Sequence, residues 1–362
     1  MNYNAFGIAA LQRLSAQSKT ANVFISPVSI GVALAMTAEG AKGETRDAML
    51  HALGVSGTAL DAANASLIGE LTKNTDASVG IANALWTRSD IKPRPQYAAM
   101  LEKQYGAKAQ ALQFGKPPAA DAINDWTKQH TLGLIDRIVD RTSASDFVYL
   151  TNALAFKATW TAQFKKNETR PMPFTNADGT KSTVQMMSQN AGFALYEGAG
   201  FQALRMPYGQ GGYAAYVLLP QGNDPDTLIN GLSSATMDSI AREAQQSFVA
   251  VSIPRFTAQY SASLGALLRS MGMGVAFTDR ANFSGIHPAP PPLAITSVNH
   301  ASYVRVDEQG TTAAAATSVG VGIMAIRRPD RTFVVDHPFV LALRDEHTGT
   351  LLFVGVIRTL KE

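Results

Sequence analysis

The chain has 362 residues, of which 46% are hydrophobic and 16% are charged, and its formal net charge is +3. This composition excludes a disordered chain, and the scattered lysines and arginines do not indicate nucleic-acid binding. The absence of cysteine excludes disulfides, thiolate catalysis and cysteine-based metal sites.

The N-terminal segment places Phe6, Ile8, Leu11 and Leu14 at helical spacing. Neither the basic region nor the cleavage site of a signal peptide accompanies them, and no apolar run in the chain approaches the length of a membrane span. We therefore expect the first helix of the fold here, and no membrane association.

Helix signals dominate the first third of the chain. Ser26 and Pro27 suit the cap and the first turn of an alanine-rich helix, and a second helix starts near Gly43 and ends at Gly54. Apolar spacing predicts a further helix over residues 120–139.

Strand patterns dominate from Phe147 onward, separated by turn signals. One helical segment, 263–273, interrupts them, and residues 287–293 are a proline-rich loop. The predicted strand regions are 79–88, 147–160, 174–187, 201–209, 211–220, 248–261 and 342–358. Because no Gly/Ser/Pro-rich linker divides the helices from the strands, we predict one α+β domain over residues 1–362.

The stretch DEQGTTAAAATSVGVGIMAIRRPD, residues 307–330, has neither charge nor aromatic ring between Gly310 and Ile326, yet it alternates with period two. One face becomes more apolar along the chain, and the other carries small residues. The first face consists of Thr311, Ala313, Ala315, Thr317, Val319, Val321 and Ile323. A strand with one face on a core has this pattern.

Common enzyme motifs are absent from the sequence. It has no G-x-S-x-G elbow, no H-E-x-x-H zinc motif and no G-x-x-x-x-G-K-[ST] phosphate loop. The six histidines stand apart, without ligand spacing. We therefore expect no metal site and no enzyme, although a Ser-His-Asp triad depends on geometry and stays open as an alternative.

Five segments occur in one order between Asn22 and Ile357. They read NVFISPVSIGVALAMTAEGAKGETRDAMLHALG, INDWTKQHTLGLI, TNALAFKATWTAQF, VNHASYVRVDEQGTTAAAAT and DHPFVLALRDEHTGTLLFVGVI. Together they resemble the signature regions of the serpins, protease inhibitors that trap their targets by changing shape. The resemblance implies a serpin fold with three β-sheets, eight or nine helices, and an exposed reactive-centre loop at about residues 308–329 that can insert into the largest sheet.

The resemblance assigns roles along this loop. The hinge consists of Glu308, Gln309, Gly310, Thr311, Thr312, Ala313, Ala314, Ala315 and Ala316. The scissile bond lies fourteen residues beyond the hinge glycine, which gives Met324–Ala325, and residues 311–323 are expected to insert after cleavage. Arg327–Arg328 is a rival bond, but it requires a longer loop.

Two further clusters follow from the resemblance. The shutter cluster, under the middle of the main sheet, consists of Ser26, Ser29, Asn152 and His300. The breach cluster, where the loop first enters, consists of Trp160, Lys157 and Arg255, and Arg255 is expected to pair with Glu308. Apart from the resemblance, Ser26 and Ser29 also suit an ordinary helix cap, and Lys157 and Arg255 suit ordinary surface ions.

Insertion of the loop has a sufficient driving force on physical grounds. Burial of Val319 and Val321 contributes roughly 3–6 kcal/mol, and new ladder hydrogen bonds add about 10–20 kcal/mol. This sum rivals the stability of a whole domain, about 5–15 kcal/mol. We therefore expect the intact protein to be metastable and held by kinetics.

The leading hypothesis is an irreversible suicide-substrate inhibitor of serine proteases. Met324 suits the primary pocket of an elastase-, chymotrypsin- or subtilisin-like enzyme. Two alternatives remain within the family. One is a non-inhibitory chaperone or binding protein, although the hinge of such a protein would usually carry charged, bulky or proline residues. The other is a cross-class inhibitor of cysteine proteases. We expect a monomer that needs no cofactor and no polyanion. An inhibitor of such proteases favours a secreted or periplasmic location.

Overall fold

Helices dominate the chain up to residue 130, and most strands follow residue 148. A computed structural model describes residues 2–57, 59–73, 75–288, 293–311 and 328–361. Within those ranges there are nine α-helices: α1 Asn4–Ser15, α2 Pro27–Glu39, α3 Gly43–Leu53, α4 Leu60–Lys73, α5 Pro95–Tyr105, α6 Pro117–His130, α7 Asp226–Gly231, α8 Ser234–Glu243 and α9 Gly265–Leu268. The predicted α+β class is confirmed.

Local signals set the ends of the predicted helices. The Ser26 side chain caps α2 by accepting a hydrogen bond from the Ser29 amide, and Pro27 occupies the first turn, where no amide is needed. Gly54 ends α3 in the left-handed conformation at φ +67°, which glycine adopts without steric cost. None of the helices in the described ranges is long and apolar enough to cross a membrane.

The helix predicted over residues 120–139 is too long, because α6 ends at His130. Leu132 and Gly133 follow with φ values of +57° and +72°, which a right-handed helix does not allow. Below α6, an apolar cluster that includes Ile123 and Ile135 packs against the sheet. The chain therefore leaves the helix, and Ile135, Ile138 and Val139 stay on the same core.

The strands contribute to two hydrogen-bonded sheets. They are β1 Val23–Ile25, β2 Ala77–Arg88, β3 Lys108–Leu112, β4 Val148–Thr159, β5 Arg170–Thr175, β6 Lys181–Gly198, β7 Phe201–Tyr208, β8 Tyr213–Pro220, β9 Gln245–Pro254, β10 Phe256–Ser263, β11 Ser297–Val306, β12 Gly310–Thr311, β13 Arg331–Val334, β14 Phe339–Asp345 and β15 Leu351–Ile357. The smaller sheet, called the central sheet below, has the order β10-β11-β12-β4-β2-β3. It contains β12, the start of the expected inserting loop, whereas the resemblance implies that the loop belongs to the largest sheet.

The larger sheet has nine strands in the order β1-β15-β14-β8-β7-β6-β9-β13, with β5 on β6. The serpin resemblance implies three sheets, whereas the described strands form two. In the described structure the nine strands of the larger sheet are continuous because β6, 18 residues long, pairs with β5 near its start and with β7 near its end. One long strand therefore connects β5 and β9 to β7 within a single sheet.

Helix α2 lies between the two sheets and carries the core. All of its residues except Glu39 are buried, and it packs on β2 and β4 on one side and on β15 on the other. A helix that is apolar all round is expected only in such a position. The N-terminus of α2 therefore meets the inner face of the central sheet, where β4 and β11 run side by side.

Candidate functional site

The central sheet has a discontinuity between β4 and β11. The two strands pair in parallel over seven residues each, from Ser297 opposite Tyr149 to Tyr303 opposite Ala155. Above this ladder, β12 lies between them and is antiparallel to both, because Thr311 pairs with Val306 and with Ala158. The beginning of the predicted hinge is thus a strand at the head of the sheet.

A tight turn brings the chain from β11 into β12. The Asp307 carboxylate accepts hydrogen bonds from the amides of Gln309 and Gly310 at 3.0 and 3.3 Å, and the Asp307 amide donates to the Gly310 carbonyl. Gly310 then passes so close to β4 that a Cβ atom there would lie 2.0 Å from the Ala158 carbonyl oxygen. Only glycine fits this approach.

Thr311 points into the core and is fully buried. Its hydroxyl lies 2.5 Å from the hydroxyl of Tyr208, and burial raises the pKa of Tyr208 well above its usual value. Trp160 stacks on Tyr208 with 4.2 Å between the ring centroids. Trp160 also holds the turn, since its indole N–H donates to the Asp307 carbonyl and its amide donates to the Gln309 carbonyl, both at 2.9 Å.

Glu308 is buried, and its carboxylate has two partners. The Thr169 hydroxyl donates to it at 2.8 Å, whereas Arg255 lies 3.6 Å away with 41% of its side chain exposed. The Phe164 amide donates to the Glu308 carbonyl. The expected pairing with Arg255 is therefore present, but the shorter contact is with Thr169.

Lys157 does not join this cluster. It precedes Ala158 on β4 and so lies on the opposite face of the sheet from Thr311, half-buried and paired in register with Ser78. Its side chain makes none of the hydrogen bonds or ion pairs found among the described residues. Of the breach cluster, the structure brings together Trp160, Arg255 and the hinge only.

The shutter cluster lies on the inner face of the central sheet, under the parallel ladder. Asn152 is opposite His300 in register and accepts a hydrogen bond from its Nδ1. The Ser26 amide donates to His300 Nε2 at 3.2 Å. All four predicted residues are buried, and Ser26 joins Ser29 through the α2 cap. The N-terminus of α2 is thereby bound to both strands.

These contacts fix the state of His300. Because Nε2 accepts from an amide, the proton is on Nδ1 and the ring is neutral. Burial lowers the pKa of His300 to about 3. A second proton on Nε2 would also oppose the Ser26 N–H, so the cluster tolerates only the neutral ring.

Three contacting residues were not predicted from the sequence. Asn83 pairs in register with Asn152 and accepts from the Ser29 hydroxyl at 3.4 Å; its only signal is that it interrupts an apolar strand. Thr169 and Tyr208 carry no motif. The predicted hinge residues 312–316 and the bond Met324–Ala325 lie outside the described residues.

The family model and the relatives that match this chain all describe serpins. The family model described as "Serpin (serine protease inhibitor)" matches residues 1–359. An uncharacterized serpin-like protein of Thermococcus kodakarensis is 35% identical over 92% of this chain and 80% of its own length. Serpin-Z7 of Hordeum vulgare is 31% identical over 97% of this chain and 93% of its own length.

A solved structure shares the architecture. The crystal structure of the thermophilic serpin Tengpin in the native state has a TM-score of 0.90 and 29% identity, and the match covers 99% of this chain and 94% of that chain. The predicted serpin fold is therefore confirmed.

Proposed function

The chain belongs to the serpin family, whose members are typically protease inhibitors rather than enzymes, and we propose from this premise that it is an irreversible suicide-substrate inhibitor of serine endopeptidases. In this proposal the whole chain, 1–362, acts as one domain. A protease cleaves Met324–Ala325, residues 311–323 enter the central sheet, and the acyl-enzyme is trapped before it deacylates.

The register of β12 is the observation that carries the proposal. Thr311 is opposite Ala158 on β4 and opposite Val306 on β11. If β12 continued in this register between the same strands, position 317 would lie opposite Asn152 and His300. Thr317 would then bring a hydroxyl between the two polar side chains that now bond each other.

The next inward positions match in the same way. Position 319 would lie opposite Leu150 and Val298, which are buried and apolar, so Val319 would enter an apolar layer. The Thr317 hydroxyl would thus lie among polar side chains, and Val319 would lie among apolar ones. A strand must match its neighbours on one face in this way before it can be buried.

On the outward face, the loop residues would also match their neighbours on β4 and β11 in the same register. Position 316 would lie opposite Ala153 and Ala301, which are buried under α6, and Ala316 adds the least bulk there. Position 318 would lie opposite Asn299, whose buried side-chain nitrogen has no hydrogen-bond partner in the described structure. The Ser318 hydroxyl would supply an acceptor for it.

The energy balance favours insertion. One parallel ladder between β4 and β11 would be replaced by two antiparallel ladders, which are slightly more stable per residue. Fourteen residues, from Thr311 to Met324, extend over roughly 46 Å at about 3.3 Å each, so an attached protease would be carried along the sheet. The intact protein is then metastable.

The proposed targets are elastase-, chymotrypsin- or subtilisin-like enzymes, because Met324 is apolar and unbranched. The test is to incubate the intact protein with subtilisin or elastase and analyse the products on denaturing gels. We expect an SDS-stable complex and release of a fragment that begins at Ala325. Complete cleavage with full protease activity remaining would refute the proposal, and a fragment that begins at Arg328 would move the bond to Arg327–Arg328.

Thr311→Arg is the matched variant for the insertion step. It places a charge on a fully buried inward position, which is costly without a partner. We expect the variant to be cleaved as a substrate without forming the complex. The cleaved wild-type protein should also melt well above the intact one, and equal melting temperatures would show that no strand was gained.

A further inference from the structure

An open cleft of about 720 Å³ lies beside the hinge, where β6, β10 and β11 meet. Its volume is within the range of small-molecule sites, roughly 300–1,000 Å³. Three cationic side chains line it, those of Arg255, Arg305 and Lys361, and none of its described lining residues carries a carboxylate. The charged side chains that line the cleft are thus all basic.

The strand register places both arginines on one face of the central sheet. Thr257 on β10 is opposite Arg305 on β11, and Arg255 lies two residues before Thr257, so strand alternation puts it on the same face as Arg305. Their neighbours Phe256 and Val306 point into the core instead. Arg255 and Arg305 are therefore diagonal neighbours, whose backbones are about 7–8 Å apart in such a pair.

Neither guanidinium is fully engaged. Arg255 is 3.6 Å from Glu308, and Arg305 is 3.6 Å from Asp307, both longer than a hydrogen bond. Across the described residues, neither guanidinium donates a hydrogen bond, and the exposed fractions of the two side chains are 41% and 54%. Each arginine has five N–H donors, so the pair has a large unused capacity to bind an anion.

We propose that this cleft binds a small diphosphate-bearing anion, held by Arg255 and Arg305 and neutralised further by Lys361. The planar fork of arginine matches phosphate oxygens in pairs. Two phosphate groups joined by one oxygen can engage two such forks at once. A long nucleic acid would need an extended basic stripe instead of a cleft.

Binding in the cleft acts on the hinge through the same two arginines. Glu308 and Asp307 are their present partners, and both carboxylates lie in the turn that leads into β12. An anion that draws the arginines away leaves the turn with fewer partners and favours its release. This consequence for the rate of inhibition rests on the proposed function, whereas binding itself does not.

Calorimetric titration of the intact protein with sodium pyrophosphate, at constant ionic strength, tests the site. We expect saturable binding that Arg305→Gln weakens at least about tenfold, the effect of losing one charge-assisted contact. Lys361→Gln, on an exposed residue near the chain end, should weaken it less. Arg137→Gln is the control, because Arg137 is also an exposed arginine that pairs with an aspartate, Asp140, and neither residue lines the cleft.

A second titration, with adenosine diphosphate, distinguishes inorganic pyrophosphate from a nucleoside diphosphate as the ligand. Equal affinity would assign recognition to the diphosphate alone, and tighter binding of the nucleotide would add a contact with its base or sugar; both support the site. Absence of saturable binding for both ligands up to millimolar concentrations would overturn the proposal. Equal weakening by Arg305→Gln and Arg137→Gln would also overturn it, since that indicates general charge screening.

The fluorescence of Trp160 can report whether anion binding affects the hinge. The Trp160 indole donates to the Asp307 carbonyl, so pyrophosphate should change the tryptophan emission of the wild type but not that of Trp160→Phe. Unchanged emission despite confirmed binding would refute the link to the hinge. Because these readouts need no protease, failure of the anion site and failure of the inhibitor proposal can be distinguished.

Discussion

The hydroxyl of Tyr208 lies 2.5 Å from the hydroxyl of Thr311, and both side chains are buried where the hinge enters the central sheet. This contact joins β7 in the larger sheet to β12 in the central sheet. Thr311 therefore has a binding partner below it as well as strands on both sides. The first inward residue of the loop is held in the intact protein by specific contacts.

Removal of the tyrosine hydroxyl should loosen this position. Tyr208→Phe leaves the buried Thr311 hydroxyl without its partner, and we expect the free energy of unfolding to fall by about 1 kcal/mol. Urea denaturation measures the change. Tyr196→Phe is the control, because Tyr196 is half-buried and its hydroxyl bonds none of the described residues. Equal losses in both variants would contradict the assigned contact.

A methyl group at Gly310 should displace the start of β12. In Gly310→Ala the added carbon would lie 2.0 Å from the Ala158 carbonyl oxygen, so the backbone must move; overpacking of this kind costs typically about 1–3 kcal/mol. The Trp160 amide, which donates to Gln309, should then exchange its hydrogen faster. Gly192→Ala is the control, since a Cβ there meets no atom within 4 Å. Unchanged exchange at Trp160 would show that the close approach is not required.

Local sequence signals predicted the starts of α2 and α3 and many of the alternating strands, because caps, glycine ends and period-two patterns depend on neighbouring residues. Helices α4, α5, α7 and α8 had no prediction of their own. Ser26, Pro27 and Gly54 act as expected. The end of α6 was not predicted, since Leu132 adopts a positive φ without being glycine. No local signal marks this conformation in the sequence, and Leu132 is itself exposed.

The contacts of the candidate site depend on long-range pairing, which periodicity does not specify. Thr169 and Glu308 meet across 139 positions, and Tyr208 and Thr311 meet across 103. The cleft cations Arg255, Arg305 and Lys361 are likewise far apart in sequence and form no basic cluster along the chain. Family resemblance grouped Ser26, Ser29, Asn152 and His300, which the structure brings together, but it also grouped Lys157 with Trp160 and Arg255, and the structure does not bring Lys157 to them.

The two partners of Glu308 should contribute unequally. The Thr169 hydroxyl donates to a buried carboxylate at 2.8 Å, a bond worth about 1.5–3 kcal/mol. The Arg255 contact is longer and partly exposed, so screening should keep it below about 1 kcal/mol. Double-mutant cycles of Glu308→Gln with Thr169→Val and with Arg255→Gln, followed by urea denaturation, measure the two couplings. A larger coupling to Arg255 would reverse this assignment.

His300 should make the intact protein less stable in acid. Burial lowers its pKa to about 3 in the folded state, whereas the unfolded chain titrates near the usual value, about 6.5. Between these values the unfolded state binds more protons, so the free energy of unfolding decreases as the pH falls through this window. The loss should reach roughly 3 kcal/mol from about pH 7 to about pH 4. His300→Gln should flatten the pH dependence of urea denaturation by this amount, while His51→Gln, on an exposed residue of α3, should leave it unchanged. Parallel curves for the wild type and His300→Gln would show that the shutter histidine does not carry the acid sensitivity.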